Sequence, residues 1–389
     1  MIPTPIYYLT DPAELPGACR HLRGCPQLGV DLEFDDMRYR YGRHLGLVQI
    51  FDGEAVWLID PVTIPELSEL LAVLADPAIV KVFHSCRSDI LLLDELHDAR
   101  VPNIVDTSVL AQLLGEADNQ ISLGKLIQLE LGITVDKGEQ KSNWLKRPLT
   151  DAQLEYAAND VIYLFLLKDA LQAKLTALGR WEWARQENAA LDHVRYQRDP
   201  EPWARLAAKL RIEPDDVPLF RALWQIRDDA ARELDRPPYQ LFDNRFFPEF
   251  IRYPPRSAQE WANVKGTHAA LRRAPWLDRL AELTPDRWTP PPPEPRAPRP
   301  RGFKWRMSAE KARAVEQREE QLVALKNAVA GKYGQNLANL VLSNKTMAEI
   351  VEFGADAVLR PWQQDVIREV ETHTDSTSYD DVARVLDAA

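Results

Sequence analysis

No segment of the sequence is both long enough and apolar enough to cross a bilayer, and no basic start followed by an apolar run marks a secretory signal. Cysteine is scarce, with three residues at spacings that match neither a disulfide framework nor a zinc site. The seven histidines are scattered singly, which argues against a histidine-built zinc site. These absences predict a cytoplasmic protein without a membrane segment, in which oxygen ligands hold any metal.

The length and the charge balance bound the class of protein. A chain of 389 residues is too long for one ordinary core, so two or three domains are expected. The formal net charge of −11 argues against a protein that coats nucleic acid nonspecifically, because such domains tend to be strongly basic. A nuclease stays open, since an enzyme can combine an acidic metal site with a local basic path to it.

The stretch VDLEF, residues 30 to 34, places two acids inside an apolar strand. Side chains alternate across a strand, so Asp31 and Glu33 share one face. Two neighbouring carboxylates in a half-buried place repel each other and lose hydration. A divalent cation between them relieves both costs.

Three more side chains extend this pair. Asp89 follows the strand IVKVF, in the first turns of a helix. Tyr156 and Asp160 stand four residues apart in YAAND, on one face of a helix that begins at Thr150 with a capping box completed by Gln153. Any one of these acids would ordinarily be a solvated surface group, and the tyrosine a packing residue. Their joint occurrence favours a site.

The chemistry open to four acids and a phenol is narrow. Two divalent ions held ~3.5–4 Å apart by carboxylates stabilise both the attacking water and the leaving oxygen of an in-line phosphoryl displacement. Tyr156 is predicted to orient that water or to help take its proton. The expected ions are two of Mg²⁺ or Mn²⁺. The predicted ligands are Asp31, Glu33, Asp89 and Asp160.

Alternating strand and helix signals predict the fold of the first half. Strands are predicted near residues 28–34, 45–51, 55–59 and 78–83 and at NIVD, with helices between the later ones, and one long helix carries LEYAANDVIYLFLLKDALQAKL. That order predicts an α/β domain with a mixed sheet flanked by helices. From about residue 200 the pattern predicts only helices, interrupted by the Pro/Arg-rich stretch TPPPPEPRAPRPRGF.

These motifs resemble those of the DEDD superfamily of 3′–5′ exonucleases, in the branch with a tyrosine in the third motif, and most closely ribonuclease D. VDLEF resembles the first motif, KVFHSCRSDI the second, and residues 122 to 164 the long run into the third. LWQIRDDAARELDRPPYQLF is similar to the HRDC domain. Two positions depart from the family pattern, which has an acid where Asn143 stands and more commonly a threonine where Leu32 stands.

The resemblance implies how the chain is divided and what it does. It implies two-metal hydrolysis of single-stranded RNA 3′ ends with release of 5′-mononucleotides, in the processing of transfer-RNA precursors or the maturation of other stable RNAs. A monomer is expected because no coiled-coil seam or self-pairing face is visible. The implied parts are an RNase H-like DEDD exonuclease domain at 1–195, a first HRDC domain at 200–288, a Pro/Arg-rich linker at 289–305 and a second, more degenerate HRDC-like domain at 306–389.

Basic and aromatic side chains near the motifs are candidates for RNA contact. RYRYGRH, residues 38 to 44, suits phosphate contacts and base stacking, although an exposed hairpin rim would look the same. A second group precedes the third motif and is also compatible with a solvated loop. His84 is assigned away from the metals because imidazole is a poor magnesium ligand. The predicted contacts are Arg38, Arg40, Tyr41, His84, Lys137, Gln140, Trp144 and Arg147.

Two other functions stay open. A DNA exonuclease of repair or proofreading is compatible with the motifs, because none of them reads a 2′-hydroxyl and the choice of RNA rests on the resemblance. A nucleic-acid-binding adaptor with a decayed nuclease core is the third hypothesis. The intact acids of all three motifs argue against it.

Overall fold

The structure is a computed structural model that describes residues 4–115, 121–135, 138–290, 309–353 and 358–371. Most of the predicted linker and the predicted contact Lys137 lie outside the described residues. Within those ranges, no helix has the length and apolar character needed to cross a membrane.

The six described strands form one mixed sheet in the first half of the chain, which confirms the fold class predicted there. Their order is β1-β4-β3-β2-β5-β6. The β2–β3 and β3–β4 pairs are antiparallel, as their short connections require, and the other pairs are parallel. The strands are β1 (Ile6–Leu9), β2 (Gln27–Asp36), β3 (Arg43–Phe51), β4 (Val56–Ile59), β5 (Val80–Phe83) and β6 (Ile104–Asp106).

Helices flank the sheet and make up the described part of the second half of the chain, as predicted. The sheet domain holds α1 (Leu15–Leu22), α2 (Ser68–Leu74), α3 (Arg87–His97), α4 (Thr107–Leu114), α5 (Leu123–Leu131), α6 (Asp151–Ile162), α7 (Leu164–Ala177) and α8 (Trp181–Leu191). The first helical module holds α9 (Ala204–Lys209), α10 (Val217–Glu233), α11 (Pro238–Leu241), α12 (Phe246–Arg252), α13 (Ala258–Asn263) and α14 (Trp276–Ala281), with 3₁₀ helices at Pro214–Asp216 and Ala269–Arg272. The C-terminal module holds α15 (Ala309–Tyr333), α16 (Gln335–Val341), α17 (Asn344–Phe353) and α18 (Pro361–Glu371).

The start of α6 and its approach to β2 are both fixed by local sequence. The predicted capping box forms, because Thr150 accepts from the Gln153 amide and the Gln153 side chain accepts from the Thr150 amide at 3.0 Å. A Cβ on Gly29 would lie 3.2 Å from the carbonyl oxygen of Val161, so glycine at this point of β2 lets α6 pack closely. These two features bring the third motif onto the strand of the first.

A β-bulge interrupts the β2–β3 ladder beside the first motif. The register shifts between Glu33 and Phe34, and Gly46 is the extra residue of β3 at that point. A Cβ on Gly46 would lie 2.8 Å from Cβ of Trp144 and 3.1 Å from the carbonyl oxygen of Glu33. A larger residue would therefore push apart the strand and the segment that crosses it.

The C-terminal module shares a core with the sheet domain. Val329 and Trp362 lie in the same buried cluster as Leu110 of α4 and Leu167 of α7. The indole of Trp362 also donates to Glu187 of α8 at 2.7 Å. The first helical module, by contrast, has a separate aromatic core of its own.

The prediction of one long helix after Thr150 was wrong. Tyr163, with φ −96° and ψ −5°, separates α6 from α7. The reason is that the two halves pack in different cores, since Val161 lies with the sheet and Leu171 lies with α4, α5 and the C-terminal module. Four elements of the first half, β1, α1, α5 and α8, were not predicted from the sequence.

Candidate active site

Acids from a strand and a helix converge beside the bulge. Asp31 and Glu33 project from β2 and Asp160 from α6, and one carboxylate oxygen of each lies within 4.8 Å of those of the other two. Asp89, in the first turn of α3, is 6% exposed and stands outside that group, although its charge acts on Asp31 and Glu33. The structure thus brings three of the four predicted ligands together and places the fourth beside them.

The electrostatics of the cluster oppose ionisation. Burial, followed by the charges of Asp160 and Asp89, raises the pKa of Glu33 to about 9. Burial raises the pKa of Asp160 as well, although a hydrogen bond with Tyr156 opposes the rise. The pKa of Asp31 is raised well above its usual range by burial and then by the three neighbouring acids. Without a cation these acids therefore retain protons that isolated carboxyl groups would lose.

Tyr156 is fixed at both its ring and its hydroxyl. The hydroxyl bonds to Asp160, one helical turn further along α6. The ring lies 6.0 Å, centroid to centroid, from that of Trp144. Burial, followed by the charges of the neighbouring acids, raises the pKa of Tyr156. The phenol is therefore protonated at neutral pH and can act as a hydrogen-bonding group at the edge of the cluster.

The donor set fits a hard divalent cation. Carboxylate oxygens are the ligands that Mg²⁺ and Mn²⁺ prefer. The group of convergent donors contains three carboxylates and no histidine or cysteine, within the part of the chain that the structure describes. A cation among them would offset both the burial and the mutual repulsion that raise their pKa values.

His84, a predicted RNA contact, is held by the protein on both sides of its ring. Its Nε2 donates to the carbonyl of Ile121 at 3.0 Å, and its Nδ1 lies 2.9 Å from the hydroxyl of Thr107. Burial lowers its pKa. The ring therefore joins β5 to the start of α4 and to the segment before α5.

The hairpin RYRYGRH faces the first helical module. Arg40 Nε donates to Asp235 at 2.7 Å, and the Tyr41 hydroxyl donates to Asp228 at 2.9 Å. Arg38, which is exposed, donates to the carbonyl of Lys141 at 2.8 Å. Two of the three predicted contacts in this hairpin are thus engaged in joining the sheet domain to the helical module.

Of the predicted contacts before the third motif, one is exposed and two are engaged within the protein. Gln140 is exposed. Trp144 is 3% exposed and packs behind Tyr156 rather than presenting a stacking face to solvent. Arg147 donates to Asp60 and to the main chain of both Gly46 and Trp144.

Two features beside the acids were not predicted. Gln49 of β3 pairs with Asp31 across the ladder, is fully buried, and has no hydrogen-bond partner for either amide atom among the described residues. A single polar residue in the apolar run LGLVQIF was the available signal for it. Gly46, inside the same strand, was the available signal for the bulge.

Two family models match the chain. Residues 6–176 match a 3′–5′ exonuclease model, and residues 216–274 match the HRDC domain. The first match contains the four predicted metal ligands and Tyr156. The second covers α10 to α13 completely.

Curated relatives and a solved structure agree with these matches. The chain is 34% identical over 231 residues to ribonuclease D of a Shewanella species, across 58% of this chain and 59% of that protein. It is 30% identical over 305 residues to ribonuclease D of Pseudomonas paraeruginosa, across 73% of this chain and 80% of that protein. The crystal structure of Escherichia coli RNase D, an exoribonuclease involved in structured RNA processing, matches with a TM-score of 0.67 at 23% identity, over 95% of this chain and 100% of that one. That likeness shows the fold alone.

Proposed function

Because the chain belongs to the ribonuclease D family and is a 3′–5′ exoribonuclease, we propose that its clustered acids hold two divalent cations with which it hydrolyses RNA from the 3′ end and releases 5′-mononucleotides. The predicted family and class of enzyme are confirmed, and the relatives do not favour the DNA exonuclease. The proposal for two cations rests on one observation, the convergence of Asp31, Glu33 and Asp160 within 4.8 Å.

The residues of the chain would divide the work. Asp31, Glu33 and Asp160 would hold the cations, and Asp89, whose charge acts on Asp31 and Glu33, would complete the set of ligands. Bound cations would stabilise the charge that develops on the attacking and leaving oxygens. Tyr156, held by Asp160, would orient the attacking water through the lone pairs of its hydroxyl oxygen.

RNA would reach the acids along exposed basic and polar groups. We propose Arg38 and Gln140 for this role because both are exposed, Arg38 just after β2 and Gln140 in the segment that leads into α6. Arg40 and Tyr41 are bonded to Asp235 and Asp228 of the first helical module, so any contact they make with RNA would lie at the junction with that module. Transfer-RNA precursors and other structured RNAs with single-stranded 3′ ends are the proposed substrates. A single chain is proposed to be sufficient.

The test uses 3′-extended structured RNA with magnesium, with and without chelator. Asp31→Ala and Asp160→Ala should abolish nucleotide release while the circular dichroism spectrum stays unchanged. Glu155→Ala, which removes an exposed acid from the same helix, is the matched control and should keep full activity. Nucleotide release by purified Asp31→Ala would contradict the proposal.

A second comparison tests the polymer. Matched RNA and DNA oligonucleotides are digested side by side under the same conditions. Faster release from RNA supports the proposed substrate, and equal or faster release from DNA contradicts it.

A further inference from the structure

Arg147 binds a carboxylate that lies far from it in sequence. Its Nε and Nη2 donate to the two oxygens of Asp60, at the end of β4. Asp60 is fully buried and accepts a third hydrogen bond from the hydroxyl of Tyr8 at 2.6 Å. Burial opposes ionisation, but the hydrogen bonds from Arg147 and Tyr8 still hold the pKa of Asp60 below its usual value. The pair is thus a fixed anchor at the side of the sheet.

The same guanidinium also donates hydrogen bonds to two backbone carbonyl groups beside the site. Nη2 donates to the carbonyl of Gly46 at 2.7 Å, and Nη1 donates to the carbonyl of Trp144, also at 2.7 Å. Its remaining exposure is small, at 18% of the side chain. A planar guanidinium can direct several donors at once, which the ammonium of a lysine cannot do in the same geometry.

Each of these two carbonyls belongs to a residue that contacts a residue of the site. Gly46 is the bulge residue of β3 and lies against the carbonyl of Glu33. Trp144 is buried and packs against the ring of Tyr156. Arg147 therefore connects the backbone beside Glu33, a predicted metal ligand, to Trp144, which packs against Tyr156.

We propose that Arg147 is a positioning residue, which sets the Glu33 carboxylate and the Tyr156 ring by fastening Gly46 and Trp144 to Asp60. This role replaces the RNA contact that the sequence predicted for it. The inference rests on the proposed function, because it assigns Arg147 to the same acids and the same tyrosine. A β-bulge re-aims the neighbouring side chains, so a bulge that is no longer held would let Glu33 move away from Asp31 and Asp160.

The first test measures metal binding in the absence of RNA. Titration calorimetry of the full chain with Mn²⁺ alone should show about tenfold weaker binding for Arg147→Lys than for the wild type. The lysine keeps a positive charge beside Asp60, but its compact ammonium lacks the planar fork that reaches Asp60 and both carbonyls at once. Unchanged Mn²⁺ affinity with unchanged kcat would overturn the proposal.

The second test separates positioning from RNA contact. For Arg147→Lys, kcat on 3′-extended RNA should fall at least about tenfold, while KM and its dependence on salt stay the same. A higher KM with a weaker salt dependence and an unchanged kcat would assign Arg147 to RNA instead and overturn the proposal. Arg38→Met is the contrasting variant, for which we expect a higher KM with a weaker salt dependence and an unchanged kcat.

Two further variants guard against simple loss of folding. Asp60→Asn should reproduce the losses in Mn²⁺ affinity and kcat, although a fully buried Asp60 cannot touch RNA. The double variant Arg147→Gln/Asp60→Asn removes both charges together and so leaves no buried charge unpaired. If the double variant is folded by circular dichroism and has wild-type Mn²⁺ affinity and kcat, the proposal is wrong.

The outcomes also distinguish this inference from the proposed function. Activity of Asp31→Ala would contradict the proposed function, whatever Arg147 does. A wild type that is active and an Asp31→Ala variant that is not, combined with an Arg147→Lys variant of normal Mn²⁺ affinity and kcat, would contradict the role of Arg147 alone.

Discussion

The rings of Trp144 and Tyr156 lie 6.0 Å apart with their planes inclined by 40°. The indole of Trp144 is buried, so the tyrosine packs against a rigid surface while its hydroxyl bonds to Asp160. Packing and hydrogen bonding are therefore separable in this residue, because the ring makes one contact and the hydroxyl the other.

Tyr156→Phe should keep the fold and lose most of the activity. The ring still packs against Trp144, but no hydroxyl remains to orient water, and groups of this kind contribute about 10²–10⁴-fold to the rate. Single-turnover release from 3′-extended RNA measures the loss. Tyr7→Phe, which changes an exposed tyrosine that packs against the ring of Trp57, is the matched control. Equal rates for the two variants would remove Tyr156 from the mechanism.

Glu33→Gln should stabilise the chain when metal is removed by chelator. Burial and two neighbouring acids raise the pKa of Glu33 to about 9, so the folded state binds this proton more tightly than the unfolded state does. The wild type therefore loses stability as the pH rises from about 4.5 to about 9, and glutamine removes that loss. Since one pH unit within this window corresponds to about 1.4 kcal/mol, we expect a gain of about 2 kcal/mol in the free energy of unfolding near pH 6 and a larger gain near pH 9.

Urea unfolding at the two pH values, in chelator, measures this gain. Glu155→Gln, an exposed change on α6, should have no effect. With excess Mn²⁺ the order should reverse, because the wild type binds the cation more tightly in its folded state. A gain that is the same at both pH values would show that Glu33 does not titrate as the structure indicates.

The acids could be predicted from the sequence because each signal is local. Asp31 and Glu33 alternate within one strand, and Tyr156 and Asp160 stand one helical turn apart after a capping box. Period and spacing are enough to place such residues on one face. That the two faces meet could be expected only from the family resemblance.

The supports of the site could not be predicted, because they depend on distant parts of the chain. Arg147 is separated by 87 residues from Asp60, and its loop shows only a basic composition. Trp362 is separated by 175 residues from Glu187. No proline or glycine marks the break at Tyr163. The break arises because successive turns of the helical segment pack in two different cores.

Lys81→Met should change how stability depends on pH. Lys81 is fully buried in β5, donates to the carbonyls of Asp76 and Ile79, and has its pKa lowered by burial to about 8. The unfolded state therefore binds this proton more tightly, and the cost to the folded state is fully present below pH 8. The cost disappears as the pH rises towards 10.5.

The measurement is the difference in unfolding free energy between wild type and Lys81→Met at pH 7 and at pH 10. We expect the wild type to gain up to about 3 kcal/mol relative to the variant over this interval. A difference that does not change with pH would mean that the buried ammonium carries no penalty.

Trp362→Ala should loosen the sheet domain as well as the C-terminal module. The side chain is fully buried, stacks on Trp183 of α8 at 5.2 Å, and lies in the cluster that contains Leu110 and Leu167. Truncating a buried tryptophan typically costs about 3–5 kcal/mol. Because the core is shared, the loss should appear as faster hydrogen exchange in α4 and α7, which lie far from residue 362 in the sequence.

Trp261→Ala is the matched control, since Trp261 is also buried but lies in the separate core of the first helical module. Its exchange rates should rise in α10 to α14 and stay unchanged in α4 and α7. If Trp362→Ala leaves α4 and α7 as protected as in the wild type, the C-terminal module does not stabilise the exonuclease fold. If Trp261→Ala raises hydrogen exchange in α4 and α7 as much as Trp362→Ala does, both helical modules are coupled to the sheet domain to the same degree. That result would contradict the expectation that coupling occurs only where buried side chains share a core.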